Sequence, residues 1–102
     1  MDTKKIPWEK LRENVSCKYL ARDEDKNFQI DIIKLDPNIK FDEHSHPDVE
    51  WVYILQGSMS DERGEYFAGD FIINKKGSKH IVSSGAEGCE ILCCWCGKVL
   101  PT

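Results

Sequence analysis

Hydrophobic and polar residues alternate along several short segments of this chain, and clusters of turn-forming residues separate them. Alternation with a period of two is the pattern of a strand with one buried face. Only residues 8–14 have a helical pattern, over a length too short to change this picture. Many short strands at this spacing indicate an antiparallel sandwich or barrel, so the predicted fold class is all-β. Strands are predicted at 15–20, 28–35, 50–55, 71–73, 80–83 and 90–95, and turns at 36–38, 46–48, 61–64, 68–70, 76–78 and 85–88.

The segment 50–55 predicts which of its side chains face the interior. Val52 and Ile54 share one face, whereas Trp51, Tyr53 and Leu55 share the other. The second set is too apolar to be left in water as a contiguous patch. Another sheet, the N-terminal arm or a second copy of the chain therefore has to cover it. We keep coverage within one sandwich and a homodimer as the alternatives, and the homodimer is at least as well supported.

The composition narrows the class of protein. A chain of 102 residues corresponds to one domain with a modest core. The net charge of -4 and the absence of a basic stripe argue against nucleic acid as a partner. No apolar run approaches the roughly 20 residues of a membrane span. Residues 1–7 lack the apolar core of a signal peptide, so we expect a cytoplasmic protein without a membrane partner.

The three histidines of the chain are His44, His46 and His80, and the first two lie just before Glu50. If 44–54 is one strand, His44, His46 and Glu50 point to one side. Imidazole and carboxylate suit Zn, Fe, Mn or Ni, and His80 from another strand would complete the set. A cation there would also remove the cost of burying the Glu50 carboxylate. The pattern therefore predicts a metal centre.

The five cysteines cannot all be paired within one chain. Cys93 and Cys96 form a C-x-x-C motif, for which a redox or zinc role is an alternative. We expect them instead to pack in or beside a strand as small hydrophobic residues. Residues three apart on a strand are about 10 Å apart, which is too far for a disulfide. We therefore predict that Cys93 and Cys96 are not bridged.

The spacing around the first two histidines resembles the first motif of the cupin superfamily, a group of small jelly-roll barrels. That motif has Gly, five residues, His-x-His, three or four residues, Glu, six residues and Gly. Here it reads Asn38, His44, His46, Glu50 and Gly57. Asn replaces the opening Gly, and Asn tolerates the left-handed backbone that such a turn needs.

The second cupin motif is also present, with two substitutions. It has Gly, five residues, Pro-x-Gly, two residues, His, three residues and Asn. Here it reads Gly69, Lys75, Gly77, His80 and Ser84. The resemblance implies a single cupin domain over 1–102, with 1–27 as an N-terminal arm and edge strand and 28–96 as the barrel core. It implies His44, His46, Glu50 and His80 as the metal ligands.

Within the cupins, segments 50–57, 61–66, 68–70 and 84–89 resemble the ChrR-like branch. The anti-sigma members of that branch have an additional N-terminal zinc-binding domain. This chain has only residues 1–27 before the cupin segment, with Cys17 and no histidine. We therefore do not expect an anti-sigma role.

A set of three histidines and one glutamate leaves one or two positions open on the metal, as catalytic sites do. Fe(II) or Zn is the expected ion, one per chain, with Mn or Ni as alternatives. The resemblance implies an Fe(II)-dependent dioxygenase that acts on a small, largely uncharged diketone or hydroxyketone. A non-enzymatic module that senses a metal or ligand with Zn in the same ligands remains the alternative. Apart from the metal, Ser84 is a weak catalytic candidate because it shares parity with His80.

Overall fold

The computed structural model describes residues 1–96 and 100–101. Nearly all of the regular structure is strand, which confirms the all-β prediction, and a 3₁₀ helix at Thr3–Lys5 precedes the first strand. The strands are β1 Glu9–Arg12, β2 Val15–Asp23, β3 Phe28–Leu35, β4 His44–Ser45, β5 Glu50–Asp61, β6 Gly64–Phe67, β7 Phe71–Asn74, β8 Lys79–His80, β9 Ser83–Cys96 and β10 Leu100–Pro101.

Two antiparallel sheets make up the fold. The larger one has the order β1-β2-β3-β9-β5-β6, and β7 pairs with the same strand β5 that carries β6. The smaller sheet has the order β10-β4-β8. The long strand β5 is central, because it pairs with β9 on one edge and with β6 and β7 on the other. This arrangement is a single-domain jelly roll.

The hydrophobic core lies on the inner faces of β2, β3, β5, β7 and β9. Val52 and Ile54 are 1% and 0% exposed, whereas Tyr53 and Leu55 are 40% and 41% exposed. The inward and outward faces predicted for residues 50–55 are therefore confirmed. Strand alternation alone separates the two sets, since neighbouring residues point to opposite sides of a sheet. The buried core cluster comprises Val15, Leu35, Val52, Ile54, Met59, Ile72, Val82, Cys89, Ile91 and Cys93.

The sequence predictions for residues 8–14 and 85–88 are wrong. Residues 9–12 form strand β1 and not a helical turn, because they pair with β2 through a hairpin in which Asn14 has φ 65°. Residues 85–88 do not reverse the chain. Ser84 pairs with Met59 and Cys89 pairs with Gly57, so the intervening residues of β9 bulge opposite Ser58. In both places the pairing partner, which is distant in sequence, decides the conformation.

Asn38 and Gly57 occupy left-handed backbone positions of the first motif. Asn38 has φ 57°, which confirms that Asn replaces Gly at a position needing this conformation. Gly57 has φ 77°, and a Cβ atom there would lie 2.1 Å from the carbonyl oxygen of Gly88. The close approach of β5 and β9 at this point therefore requires glycine.

The five cysteines lie within residues 1–96 and none is bridged, which confirms the prediction for Cys93 and Cys96. Cys93 is 2% exposed and belongs to the core cluster. In the part of the chain that is described, no helix is long and apolar enough to cross a membrane.

Candidate metal centre

Three imidazoles from two strands and the segment between them meet at one point. His44 in β4 pairs directly with His80 in β8, and His46 follows β4 by one residue. Their ligand nitrogens lie within 4.8 Å of one another. His46 and His80 are buried, and His44 is partly buried. We call His44, His46 and His80 the histidine cluster, a group that could hold a metal ion.

The turn between β7 and β8 orients His46. The backbone N–H of His46 donates to the Ser78 carbonyl oxygen over 3.0 Å, and the Gly77 N–H donates to the His46 carbonyl oxygen over 2.8 Å. On the side chain, Nδ1 lies 3.2 Å from the Ser78 carbonyl oxygen and 3.0 Å from its hydroxyl. A carbonyl oxygen only accepts, so Nδ1 carries the proton and Nε2 presents a lone pair. That Nε2 is buried and has no hydrogen-bond partner.

A carboxylate orients His80 in the same way. Nδ1 of His80 lies 3.0 Å from Oδ2 of Asp61, and the Asp61 side chain is fully buried. The imidazole therefore donates through Nδ1 and directs the lone pair of Nε2 toward the other histidines. Histidines that bind metals commonly donate their second ring nitrogen to a carboxylate or a carbonyl, as His80 and His46 do here.

The Glu50 carboxylate lies beside the histidine cluster at the start of β5. Its Oε1 is 3.5 Å from Nε2 of His46 and accepts a hydrogen bond from Nδ2 of Asn74 over 2.8 Å. Burial by itself would raise the pKa of Glu50, but the hydrogen bond from the Asn74 amide works against burial, and the pKa lies below its usual value. The carboxylate is therefore ionised, which is the form that binds a cation.

Burial keeps the His44 and His80 imidazoles neutral. Burial, together with the nearby His80, lowers the pKa of His44 to about 4. Burial also lowers the pKa of His80, partly opposed by Asp61. Burial by itself would raise the pKa of Asp61, but hydrogen bonds from Arg63 and His80 outweigh burial and hold its pKa well below the usual range. At neutral pH His44 and His80 are thus neutral and the Glu50 carboxylate is ionised, the forms required of metal ligands.

The path of the backbone differs from the single strand expected over residues 44–54. Strand β4 ends at Ser45, the chain bends at Pro47 and Asp48, and β5 begins at Glu50 in the other sheet. His44 and Glu50 therefore come together because the two sheets face each other across the barrel. Parity along one strand is not the reason for their convergence.

This donor set fits a divalent transition metal. The orphaned Nε2 of His46 is buried, and Nε2 of His44 and Nε2 of His80 are only 2.6 Å apart. A buried acceptor without a partner is costly, and a cation shared by the three nitrogens would satisfy it. Imidazole nitrogen with one carboxylate suits Fe(II), Zn, Mn or Ni, and the arrangement does not choose among them.

A cavity of about 590 Å³ adjoins the centre, and His44, Glu50 and His80 line part of it. Apart from Glu50, its charged lining residues, which include Arg12 and Lys40, are exposed and of both signs. Apart from Glu50, Asn74 and His80 at the metal centre, the buried part of its wall is apolar, so the cavity suits a ligand with little net charge. These buried apolar wall residues are Val15, Leu35, Val52, Met59, Val82, Ile91 and Cys93.

Ser84 does not support the catalytic role suggested from its parity. Its hydroxyl donates to the Asp36 carbonyl oxygen and accepts from the Ile39 N–H over 3.0 Å. These bonds hold the loop before β4 against β9, and Ser84 does not line the cavity. Parity does not relate the two residues, because His80 ends β8 of the smaller sheet and Ser84 lies in β9 of the larger one.

Sequence reasoning missed three residues that support the centre, namely Asp61, Asn74 and Arg63. Asp61 contacts His80, Asn74 contacts Glu50, and Arg63 hydrogen-bonds to both Asp61 and Asn74. Two of the three lie in the predicted turn at 61–64, where Asp and Arg are ordinary turn and surface residues. Only the pairing of β5 with β6 and β7 brings them to the histidine cluster.

The jelly-roll barrel with histidines and a carboxylate facing its cavity defines the cupin class. The family of ChrR Cupin-like domains matches residues 1–97, and the chain belongs to it. Both the cupin resemblance and the narrower ChrR-like one are therefore confirmed. No curated protein matches the chain.

Solved structures repeat the same fold at low identity. An RmlC-like cupin protein from Ralstonia eutropha has a TM-score of 0.87 and 22% identity, and the match covers 98% of this chain and 69% of that one. An acetylacetone dioxygenase from Acinetobacter johnsonii has a TM-score of 0.80 and 13% identity, covering 90% and 69%. The complex of Rhodobacter sphaeroides SigE with the anti-sigma ChrR has a TM-score of 0.79 and 20% identity, covering 92% and 51%. At these identities the likeness shows the fold alone.

Proposed function

We propose that the protein is a metal-dependent dioxygenase that acts on a small, largely uncharged diketone or hydroxyketone. The observation that carries this proposal is the histidine cluster opening onto a cavity whose buried wall is apolar away from the metal centre. The likeness to an acetylacetone dioxygenase supports the same substrate class. The proposed ligands are His44, His46, Glu50 and His80, with one divalent ion per chain and Fe(II) as the working metal.

The residues of the chain have separable roles in this reaction. The three imidazoles and the Glu50 carboxylate would hold the ion beside the cavity. Fe(II) in such a set supplies the capacity to activate dioxygen. Two neighbouring oxygens of the substrate face the metal centre, and the apolar wall packs against its carbon skeleton. Val52 and Val82, 1% and 6% exposed, help to exclude bulk water from this space.

For the test, the protein is first reconstituted with Fe(II) under anaerobic conditions. Oxygen uptake is then measured in aerated buffer, with pentane-2,4-dione and related diketones and hydroxyketones as substrates. We expect uptake with at least one of them, matched by loss of the substrate. His46→Ala should lose the bound metal and about 100-fold or more of the activity. Cys17→Ala, which changes a buried side chain outside the cavity, is the control and should keep both. Metal-loaded protein that consumes no oxygen with any of these substrates would contradict the proposal.

The likeness to the ChrR complex favours a second candidate, a non-enzymatic module that senses a metal or ligand with Zn in the same ligands. Such a module would bind a protein partner and turn over no substrate. Protein isolated without added metal would then contain one Zn per chain and show no oxygen uptake after exchange to Fe(II). Stoichiometric Fe on isolation, with turnover, favours the enzyme.

We also propose that two copies associate through the outer face of β5, β6 and β7. Tyr53 pairs across strands with Phe71, and Trp51 pairs with Ile73. A two-fold contact brings the same patch of each copy together, so an apolar patch meets an apolar patch. A contiguous apolar surface of this kind is typical of an interaction site. The exposed hydrophobic residues of this outer face are Tyr53, Leu55, Phe67, Phe71 and Ile73.

A cytoplasmic location is part of the proposal. Five unbridged cysteines support it, since disulfides are common in oxidising compartments and rare in the reducing cytosol.

A further inference from the structure

The turn between β5 and β6 lies against the back of the histidine cluster. It is anchored to β8 by the Ile81 N–H, which donates to the Glu62 carboxylate over 2.7 Å. It also contains Asp61, the carboxylate that orients His80. The exposed residue at the tip of this turn is Arg63.

Arg63 joins the two side chains that hold different ligands. One of its terminal nitrogens, Nη2, lies 2.7 Å from Oδ2 of Asp61 and 2.6 Å from Oδ1 of Asn74. Nε donates to Asp61 over 3.2 Å, and Nη1 donates to the Ile73 carbonyl oxygen over 3.2 Å. The planar guanidinium thus contacts the end of β5 and the end of β7 at once.

These contacts determine which way the Asn74 amide points. A guanidinium has donors only, so the atom of Asn74 that faces Arg63 must be its carbonyl oxygen Oδ1. The amide nitrogen Nδ2 then faces Glu50 and donates to Oε1 over 2.8 Å. The Glu50 carboxylate only accepts and favours the same orientation, so Asn74 is held from both sides, and removal of Arg63 would leave it held by Glu50 alone.

The same guanidinium restrains Asp61. The Asp61 side chain is fully buried although Arg63 itself is 47% exposed, so Arg63 covers the carboxylate that His80 contacts. A small cavity of about 110 Å³ lies here, lined by Asp61, Arg63, Asn74 and His80 among others. Removal of the guanidinium would admit water to Asp61 and loosen the orientation of His80.

We propose that Arg63 is a positioning residue for the metal centre, which it orients through Asn74 to Glu50 and through Asp61 to His80. Arg63 does not line the cavity of about 590 Å³, yet it thereby controls two of the four proposed ligands. The inference rests on the proposed metal centre but not on the reaction. It is therefore tested by metal binding and spectroscopy, without any assay of turnover.

The variants are Arg63→Gln and Arg63→Lys. Arg63→Gln loses both the charge and the planar set of guanidinium N–H donors, whereas Arg63→Lys keeps only the charge. Arg22→Gln is the matched control. Arg22 is 36% exposed and lies 2.7 Å from Asp31, a buried carboxylate that makes no contact with the histidine cluster. Zn affinity is measured by competition with a chelator, the ligand field by the visible spectrum of the Co(II) form, and the fold by melting of the apo form.

We expect Arg63→Gln to bind Zn about 10- to 100-fold more weakly and to change the Co(II) spectrum. The Zn affinity and Co(II) spectrum of Arg63→Lys should be intermediate between those of Arg63→Gln and the wild type. Arg22→Gln should keep the wild-type affinity and spectrum even if its apo form melts earlier. The proposal is overturned if Arg63→Gln matches Arg22→Gln in both readouts. If Arg63→Gln does not fold, wild-type affinity and spectrum in Arg63→Lys overturn it. A wild-type protein that binds no metal would overturn the metal centre itself, which is a distinguishable result.

Discussion

Nδ1 of His80 lies 3.0 Å from Oδ2 of Asp61, at the far end of the strand that begins with Glu50. Strand β5 therefore supplies Glu50 at its first residue and, at its last residue, the carboxylate that orients His80. Because both ends of one strand serve the same centre, a displacement of β5 would disturb two of the proposed ligands together.

The first prediction concerns this contact. Asp61→Asn keeps a side-chain oxygen that can accept from His80 but removes the negative charge that makes the imidazole a stronger ligand. We expect Zn affinity, measured by chelator competition, to fall about 10- to 100-fold. The control is Asp31→Asn, which neutralises another buried carboxylate bonded to an arginine. Equal affinities for the two variants would show that Asp61 does not act on the centre.

The second prediction concerns the outer face of β5, β6 and β7. Tyr53→Lys should convert dimers into monomers in light scattering, because two like charges would meet across a two-fold contact. Tyr19→Lys is the control, since Tyr19 is also 40% exposed but lies on β2. A wild-type protein that is monomeric at high concentration would refute the dimer.

The third prediction concerns Gly57. Gly57→Ala combines a left-handed backbone with a Cβ that meets the Gly88 carbonyl oxygen at 2.1 Å. Gly69→Ala is the control, because Gly69 has φ 95° but open space around its Cβ. Both should lower the free energy of unfolding in urea, Gly69→Ala by about 1 kcal/mol and Gly57→Ala by more. Equal losses would mean that β5 and β9 separate easily at this point.

The fourth prediction concerns the thiols. Burial raises the pKa of Cys17 and of Cys89 to about 11, so both remain protonated in the folded protein at pH 8. They should react with iodoacetamide much more slowly than after unfolding, because the thiolate is the nucleophile. Mass spectrometry of the alkylated peptides measures this difference. Rapid alkylation of Cys17 in the native state would contradict its buried position.

The same shifts predict a dependence of stability on pH. Thiols in the unfolded chain lose their protons near pH 9, whereas Cys17 and Cys89 hold theirs to about 11. The folded state therefore binds more protons between pH 9 and 11, and its stability falls as the pH rises through this range. Urea unfolding at pH 8 and pH 10.5 measures the fall. Replacement of Cys17 and Cys89 by Ala should reduce this loss of stability. An unchanged loss would mean that other groups cause it.

The local pattern of the sequence determined much of this protein. Period-two alternation was enough to predict β3 at residues 28–35 and to separate Val52 and Ile54 from Tyr53 and Leu55. Ligand chemistry and motif spacing singled out His44, His46 and His80, which the structure brings together. These features could be predicted because strand alternation depends on neighbouring residues, and because the spacing of metal ligands can be counted along the sequence.

Only the tertiary structure decided how these residues meet. The bend at Pro47 and Asp48 places His44 and Glu50 in different sheets, although one strand was expected. Segment 9–12 became a strand because β2 lies beside it. Asp61, Arg63 and Asn74 carry no local signal, since their partners are distant in the chain and come into contact only when β5 pairs with β6 and β7. Hydrogen bonds between distant residues depend on the register of strands, which the local pattern does not encode.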